Sequence, residues 1–318
     1  MAYSNVPVTD GAQVVQEIAS FAATLGWSVV RNDGTNPKTV TLLVPGGIYV
    51  SLNGGNDNIY LNGHRGVDTN KAWYDQPDQY LQYDGDGNPT NDTTEKYTLT
   101  TSWLRVNPLL SVHLFGGNSP TPYLYAAIEM EPGYYRHIVI GMFEKLGAAL
   151  GGTFWDVSAV YAASNASHPG YHRAPFLYND FVSGTEINGG CDGQDSNGNP
   201  AWVKFNDYYS LVPQLAGGHW GCELMTFFKC SPIQFNGRTP LITPLVWVDS
   251  AGYRPYGTPP AFRYIEMSYF EAGDELVIGS DTWKVFPWAR RKVGGRNNTL
   301  TSTSDEATDM YGLAYLKD

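Results

Sequence analysis

The chain has 318 residues, 14% of them aromatic and only 16% charged, with 35 glycines, 20 prolines and a formal net charge of −11. Charged residues ordinarily make up about a quarter of a globular chain. A sequence rich in rings and turn formers but poor in Lys and Glu is ill suited to long helices, which excludes a helical bundle, a coiled coil, a collagen-like rod and a disordered tail.

The first periodic segment runs from Asp10 to Gly26. Val14, Ile18, Phe21 and Leu25 recur at three and four residues and give a helix with one apolar face. Asp10 is placed to cap its first turn, and Gly26 to end it. Trp27 to Arg31 follows as a strand, and Asn32-Asp33-Gly34 signals a tight turn. Thr39 to Val44 and Ile48 to Leu52 are two more strands. Residues 1–62 therefore read as a small α+β segment, a helix laid on a short meander.

Residues 63–96 are polar, rich in Asp, Asn, Tyr and Gly, and lack sustained periodicity. They read as an excursion or linker. β-like texture then returns through 97–318. Leu110, Val112 and Leu114 alternate with Ser111, His113 and Phe115. Tyr123 to Met130 and Tyr134 to Met142 form a hairpin around Pro132-Gly133, a pair suited to a type II turn. Residues 143–150 read as a helical turn or the tail of a long strand. Further strands are expected at Thr153 to Val160, Trp202 to Phe205, Leu245 to Val248, Phe262 to Tyr269, Glu275 to Ile278 and Thr282 to Phe286. Many short strands separated by Gly, Pro and Asn turns give a mainly β fold, a β-barrel or sandwich with the small N-terminal α+β segment attached.

Calcium is the one cofactor with a candidate site. Asp84, Asp86, Asn88, Thr90, Asp92 and Glu95 occupy the alternating oxygen positions of a calcium loop. Pro89 stands where that loop needs glycine, and no amphipathic helix flanks it, so an Asp/Gly/Asn hairpin tip is the competing reading. Asp195-Ser196-Asn197-Gly198-Asn199-Pro200 repeats the turn without the later ligands. His219, Cys222, Cys230 and Cys191 lack the paired spacing of a zinc site and read as a packed His and free, buried thiols. His168 and His172 flank Pro169-Gly170, which forbids the helix that would align them. No Gly-x-Ser-x-Gly elbow and no phosphate-cradling Gly-x-x-x-x-Gly-Lys loop occurs. Glu144, Asp156, Glu223, Glu266 and Glu271 lie near aromatics, an arrangement that 31 acidic residues produce by chance.

Net negative charge removes the diffuse attraction for phosphate on which nucleic-acid binding draws. Arg290, Arg291, Lys292 and Arg296 form the one basic cluster, read as a docking patch for an acidic neighbour or as a solvated strand end. The N-terminal residues lack the basic and apolar regions of a secretory leader, and no apolar run approaches the roughly 18 residues that span a bilayer. No membrane partner is expected.

Three stretches carry a resemblance: the opening helix with Gly26 to Arg31, Tyr134 to Gly147 running into Gly151 to Trp155, and Gly273 to Gly279 with Trp283 to Trp288. In texture the chain resembles structural proteins of the tailed-bacteriophage virion, from the tail, neck or baseplate. The resemblance implies a non-enzymatic β-rich subunit, assembled in the host bacterial cytoplasm, whose partners are copies of itself and other virion proteins. It carries over no active-site residue. In such a subunit Tyr and Trp are expected to supply rigid contact area between neighbours. A tail-tip receptor- or carbohydrate-binding module is the alternative, with a polysaccharide hydrolase behind it.

Overall fold

The computed structural model describes residues 1–56, 58–79, 109–148, 150–161, 171–173, 175, 190–194, 199–204, 241, 243, 246–248, 254–267, 269–288 and 311–318. In chain order these form β1 (Ala2–Pro7), α1 (Gly11–Thr24), β2 (Ser28–Asp33), β3 (Lys38–Leu43), β4 (Tyr49–Gly54) and β5 (Ile59–His64). Then come β6 (Ser111–Gly117), β7 (Tyr123–Glu131), β8 (Tyr134–Met142), β9 (Glu144–Lys145), β10 (Thr153–Val157), β11 (Ala159–Tyr161), β12 (Tyr171–Arg173), β13 (Gly190–Gln194) and β14 (Pro200–Lys204). The last are β15 (Val246–Val248), β16 (Arg254–Thr258), β17 (Phe262–Glu266), β18 (Glu275–Ile278), β19 (Asp281–Pro287) and β20 (Tyr311–Leu316). The fold is mainly β, with one helix among the described residues.

Three sheets organise the core. The central one has seven strands in the order β1-β6-β7-β8-β10-β13-β14, and its paired neighbours are antiparallel. It is open, with β1 and β14 at its edges, so the described sheets form no closed barrel. Both of its faces are covered. Val112, Leu114, Leu124, Ala126, Ile128, Ile138, Ile140, Trp155 and Val157 point to a layer made by α1 and the sheet β2-β3-β4-β5. Phe115, Tyr123, Tyr125, Tyr135, Val139 and Phe154 point the other way, against the sheet β17-β20-β19-β18. Strict alternation along each strand assigns these sets to opposite faces. A strand buried on both sides carries apolar residues at nearly every position, which is why Tyr123 to Met130 reads as a continuous apolar run.

The helix forms as its spacing predicts. Asp10 is its N-cap, and its Oδ1 accepts from the Gln13 amide at 2.8 Å. Val14, Val15, Ile18, Phe21 and Ala22 are buried along one face, and Gly26 follows at φ +81°. Trp27 is tied to the central sheet by its Nε1, which donates to Asn118 Oδ1 at 2.6 Å. The tight turn begins two residues later than the sequence signal. Asn32 and Asp33 belong to β2, and Gly34 at φ +70° opens the connection to β3. The hairpin at Pro132-Gly133 is present, with Gly133 at φ +77°. Residues 143–150 are neither helical turn nor long strand tail: β9 is a two-residue strand pairing with β16. The expected strand Thr153 to Val160 is broken at Ser158 into β10 and β11. β1, β5, β12, β13, β16 and β20 lie beyond the strands expected from the sequence.

The rings fill the interior. Trp155, Tyr125, Tyr264, Tyr315, Phe115, Phe154, Phe262 and Phe286 are the largest fully buried side chains. All but Trp155 lie between the central sheet and the β17–β20 sheet, where they meet in stacked and edge-on pairs, Phe115 with Tyr315 at 5.0 Å and Tyr125 with Phe262 at 5.8 Å between centroids. These rings are consumed inside one chain, and Tyr269 is the ring-bearing residue with large exposure among the described residues.

Candidate functional site

The strongest polar constellation lies on the face of the β2–β5 sheet turned away from the apolar core. Val40, Leu42, Val50, Leu52, Ile59 and Leu61 take the core face. The alternate positions then fall on the opposite face: Thr39, Thr41, Ser51, Asn53, Tyr60, Asn62 and His64. Apart from Tyr60, all of these are buried although they are polar.

A strap of residues 65–79 belongs to the same site. It returns on itself, with the Arg65 amide donating to Asp78 O and the Gly66 amide to Pro77 O, both at 3.1 Å, so its ends meet as in an Ω-loop. Gln76, buried within it, donates to Asp68 O and Ala72 O and accepts from the Asp68 amide. Asn62 Nδ2 donates to Gln79 Oε1 at 3.2 Å. Arg31 Nη1 donates to Lys71 O, which ties the strap to β2. Arg65 joins the strap to the central sheet through Asp192.

Three hydroxyl and imidazole groups form a hydrogen-bonded chain under this strap. Thr41 stands directly opposite Ser51 across β3 and β4, and Thr41 Oγ1 lies 2.8 Å from Ser51 Oγ. His64 sits diagonally from Ser51 across β4 and β5, with Nε2 2.8 Å from Ser51 Oγ. Its Nδ1 lies 2.6 Å from Gly66 O. A carbonyl can only accept, so Nδ1 carries the proton and Nε2 accepts from the Ser51 hydroxyl. Burial lowers the His64 pKa to about 4, with the Gly66 carbonyl opposing the shift, and the ring is neutral at pH 7. Tyr49 stacks on it at 5.7 Å. A hydroxyl held by a neutral, oriented imidazole has the geometry of a nucleophile and its base. Ser51 and His64 are both 0% exposed, so in this arrangement the chain of bonds fastens the strap to the sheet.

A ring trio lies on the same region. Tyr60 stacks on Trp73 at 5.7 Å, and Tyr74 meets Trp73 edge-on at 5.5 Å. All three rings are half-buried.

The residues singled out from sequence fall elsewhere. Asp84, Asp86, Asn88, Thr90, Asp92 and Glu95 lie outside the described residues, as do Arg290, Arg291, Lys292 and Arg296. His168, His219, Cys222, Cys230, Glu223 and the 195–198 turn also lie outside them. Cys191 is a free, buried thiol in β13, its pKa raised by burial and by Asp192 beside it. Among the described residues no three His, Cys, Asp or Glu side chains converge as a metal site. Glu144 and Glu271 are exposed. Asp156 and Glu266 are buried, and alternation turns both toward the layer between the central sheet and the β17–β20 sheet. Asp156 Oδ1 accepts from the Val157 amide at 2.8 Å.

Ser51, His64, Tyr60 and Trp73 were not singled out by motif. Their signal was available as polar residues at every second position in three successive strands, a polar face that something had to cover. No protein-family model matches this chain, and no curated protein sequence matches it. Among the described residues no helix is long and apolar enough to cross a membrane.

Proposed function

We propose that this chain is a non-enzymatic structural subunit of a tailed-bacteriophage virion, a tail, neck or baseplate component that associates with its own copies and docks neighbouring virion proteins. On this reading it assembles in the host cytoplasm and ends in the particle. One observation carries the reading. Among the described residues β18 is a free edge of the β17–β20 sheet, and it presents Val277 at 66% and Ile278 at 45% exposure. An unpaired edge with apolar side chains is a ready template for another chain. The two-sided core behind it supplies a rigid body, so little ordering is needed on association.

The test is light scattering on the purified chain and on a Val277→Lys/Ile278→Lys double variant, with immunogold electron microscopy of particles. Association that the double variant loses, together with labelled tails or necks, is the expected result. A strict monomer and unlabelled particles would sink the reading.

The ring trio favours a second reading, a receptor- or carbohydrate-binding module at the tail tip. Half-exposed Tyr60, Trp73 and Tyr74 offer the flat apolar faces on which a pyranose stacks. Glycan-array binding abolished by Trp73→Ala is the result that would favour it.

A further inference from the structure

We propose that Arg136 anchors a binding site for a small oxyanion, a carboxylate or a phosphate group. Arg136 lies in β8, and alternation places it with Tyr134 and Ile138 on the face turned toward α1 and the β2–β5 sheet. It is 4% exposed. Its Nη2 donates to the Tyr134 hydroxyl, and its guanidinium carbon lies 5.0 Å from the centroid of that ring. Nε and Nη1 are buried and have no hydrogen-bond partner among the described residues. Three N–H donors of a cation are therefore unanswered.

The charge cannot be removed by losing a proton. Burial lowers the Arg136 pKa and the Tyr134 phenol opposes that shift, but a guanidinium stays protonated at any ordinary pH. Among the described residues, burial and Tyr134 are the influences acting on it, and no carboxylate acts with them. Glu129, on the neighbouring strand, points to the opposite face and accepts from Ser111 Oγ. Arg65 shows the usual solution in this same chain, a bond to the Asp192 carboxylate at 2.7 Å. A buried cation without a counter-charge is among the most unfavourable arrangements a fold can hold. The planar fork of donors matches carboxylate and phosphate oxygens. The pairing of β10 with β8 stops at Val157 opposite Ile138, so β10 does not flank Arg136 within the sheet.

The experiment uses the full chain, dialysed free of carboxylate and phosphate buffers. Thermal unfolding is followed with added inorganic phosphate or acetate, against sodium chloride at matched ionic strength. At least one of the two oxyanions should raise Tm by about 3 °C or more beyond the chloride control. Arg136→Lys, which keeps the charge and loses the fork, should weaken that response at least about tenfold in apparent affinity. A response to phosphate alone assigns a phosphate site, and a response to acetate assigns a carboxylate site. No shift beyond chloride, or an equal shift in Arg136→Lys, overturns the proposal. Should the variant fail to fold, arginine Nε–H signals of the nitrogen-15-labelled wild type decide: one buried signal should move and exchange more slowly with anion. An unchanged spectrum overturns the proposal equally.

Discussion

Arg65 Nη2 lies 2.7 Å from Asp192 Oδ1, joining the first residue of the strap to β13 of the central sheet across 127 residues of sequence. Arg65 Nε reaches the same oxygen at 3.1 Å, and the guanidinium rests 4.2 Å above the Trp202 ring. Trp202 in turn meets Trp155 edge-on at 5.8 Å. One side chain thus couples the strap over the polar face to the apolar layer between two sheets.

Arg65→Ala should release the strap. Both partners are partly buried, at 24% and 13% side-chain exposure, so removing the cation leaves a half-desolvated Asp192 and bares Trp202. A loss of about 1–3 kcal/mol in urea unfolding is expected. Trypsin should also cut faster after the exposed Lys71, because the strap opens locally before the fold does. Unchanged cleavage at Lys71 would show that Gln76 and Arg31 hold the strap without Arg65.

Gly63→Ala should separate the β2–β5 sheet from the central sheet. A Cβ at Gly63 would lie 2.3 to 2.7 Å from three atoms of the Trp155 indole, closer than carbon atoms approach. Trp155 is 1% exposed and has no free side to move into. Overpacking of this kind typically destabilises by about 1–3 kcal/mol. Lower Tm and a changed near-ultraviolet tryptophan signal check it.

Much of this architecture was legible in the sequence, and the gaps have physical causes. Val14, Ile18, Phe21 and Leu25 marked the helix because its buried face is unmixed. The β7–β8 hairpin was legible because Pro132-Gly133 sits between two long apolar runs. β5 was hidden, since Tyr60, Asn62 and His64 give it a polar texture and only the strap makes that face an interior one. β1 is an edge strand with weak alternation, and β20 carries a glycine at its second position, yet it takes an inner place beside β19. The Ser51–His64 pair depends on the register of β4 and β5, which no local motif encodes.

Ser51→Ala tests that pair as a structural device. It removes the donor to His64 Nε2 and the neighbour of Thr41 Oγ1, leaving a buried imidazole nitrogen without its partner. A loss of about 1–3 kcal/mol is expected from chemical denaturation. Thr41→Val keeps the Ser51–His64 bond and should be the milder change.

Acid should unfold this chain through three buried imidazoles. His64 and His113 have pKa values lowered to about 4, and His137 to about 3, in each case chiefly by burial. Lys284 adds to the shift at His113 and Arg136 to that at His137, while the Pro287 carbonyl opposes it at His137. His137 sits between the central sheet and the β17–β20 sheet. Its Nε2 donates to Pro287 O at 2.9 Å, so its Nδ1 accepts from the Tyr315 hydroxyl at 2.8 Å. Each folded pKa lies below the unfolded value of about 6.5. Between those two values the unfolded chain binds a proton that the folded chain refuses, so stability rises with pH there and falls as pH drops. The window opens near pH 6.5 and closes near 4 for His64 and His113, and near 3 for His137. Each proton contributes a slope of up to about 1.4 kcal/mol per pH unit inside its window. Urea unfolding at pH 7, 6 and 5 should give a steadily falling midpoint. His137→Phe should be less stable at pH 7, because Pro287 O and the Tyr315 hydroxyl lose their partner, yet its midpoint should fall less steeply below pH 6.5. Parallel slopes for the wild type and this variant would mean that His137 does not carry its share of the acid response.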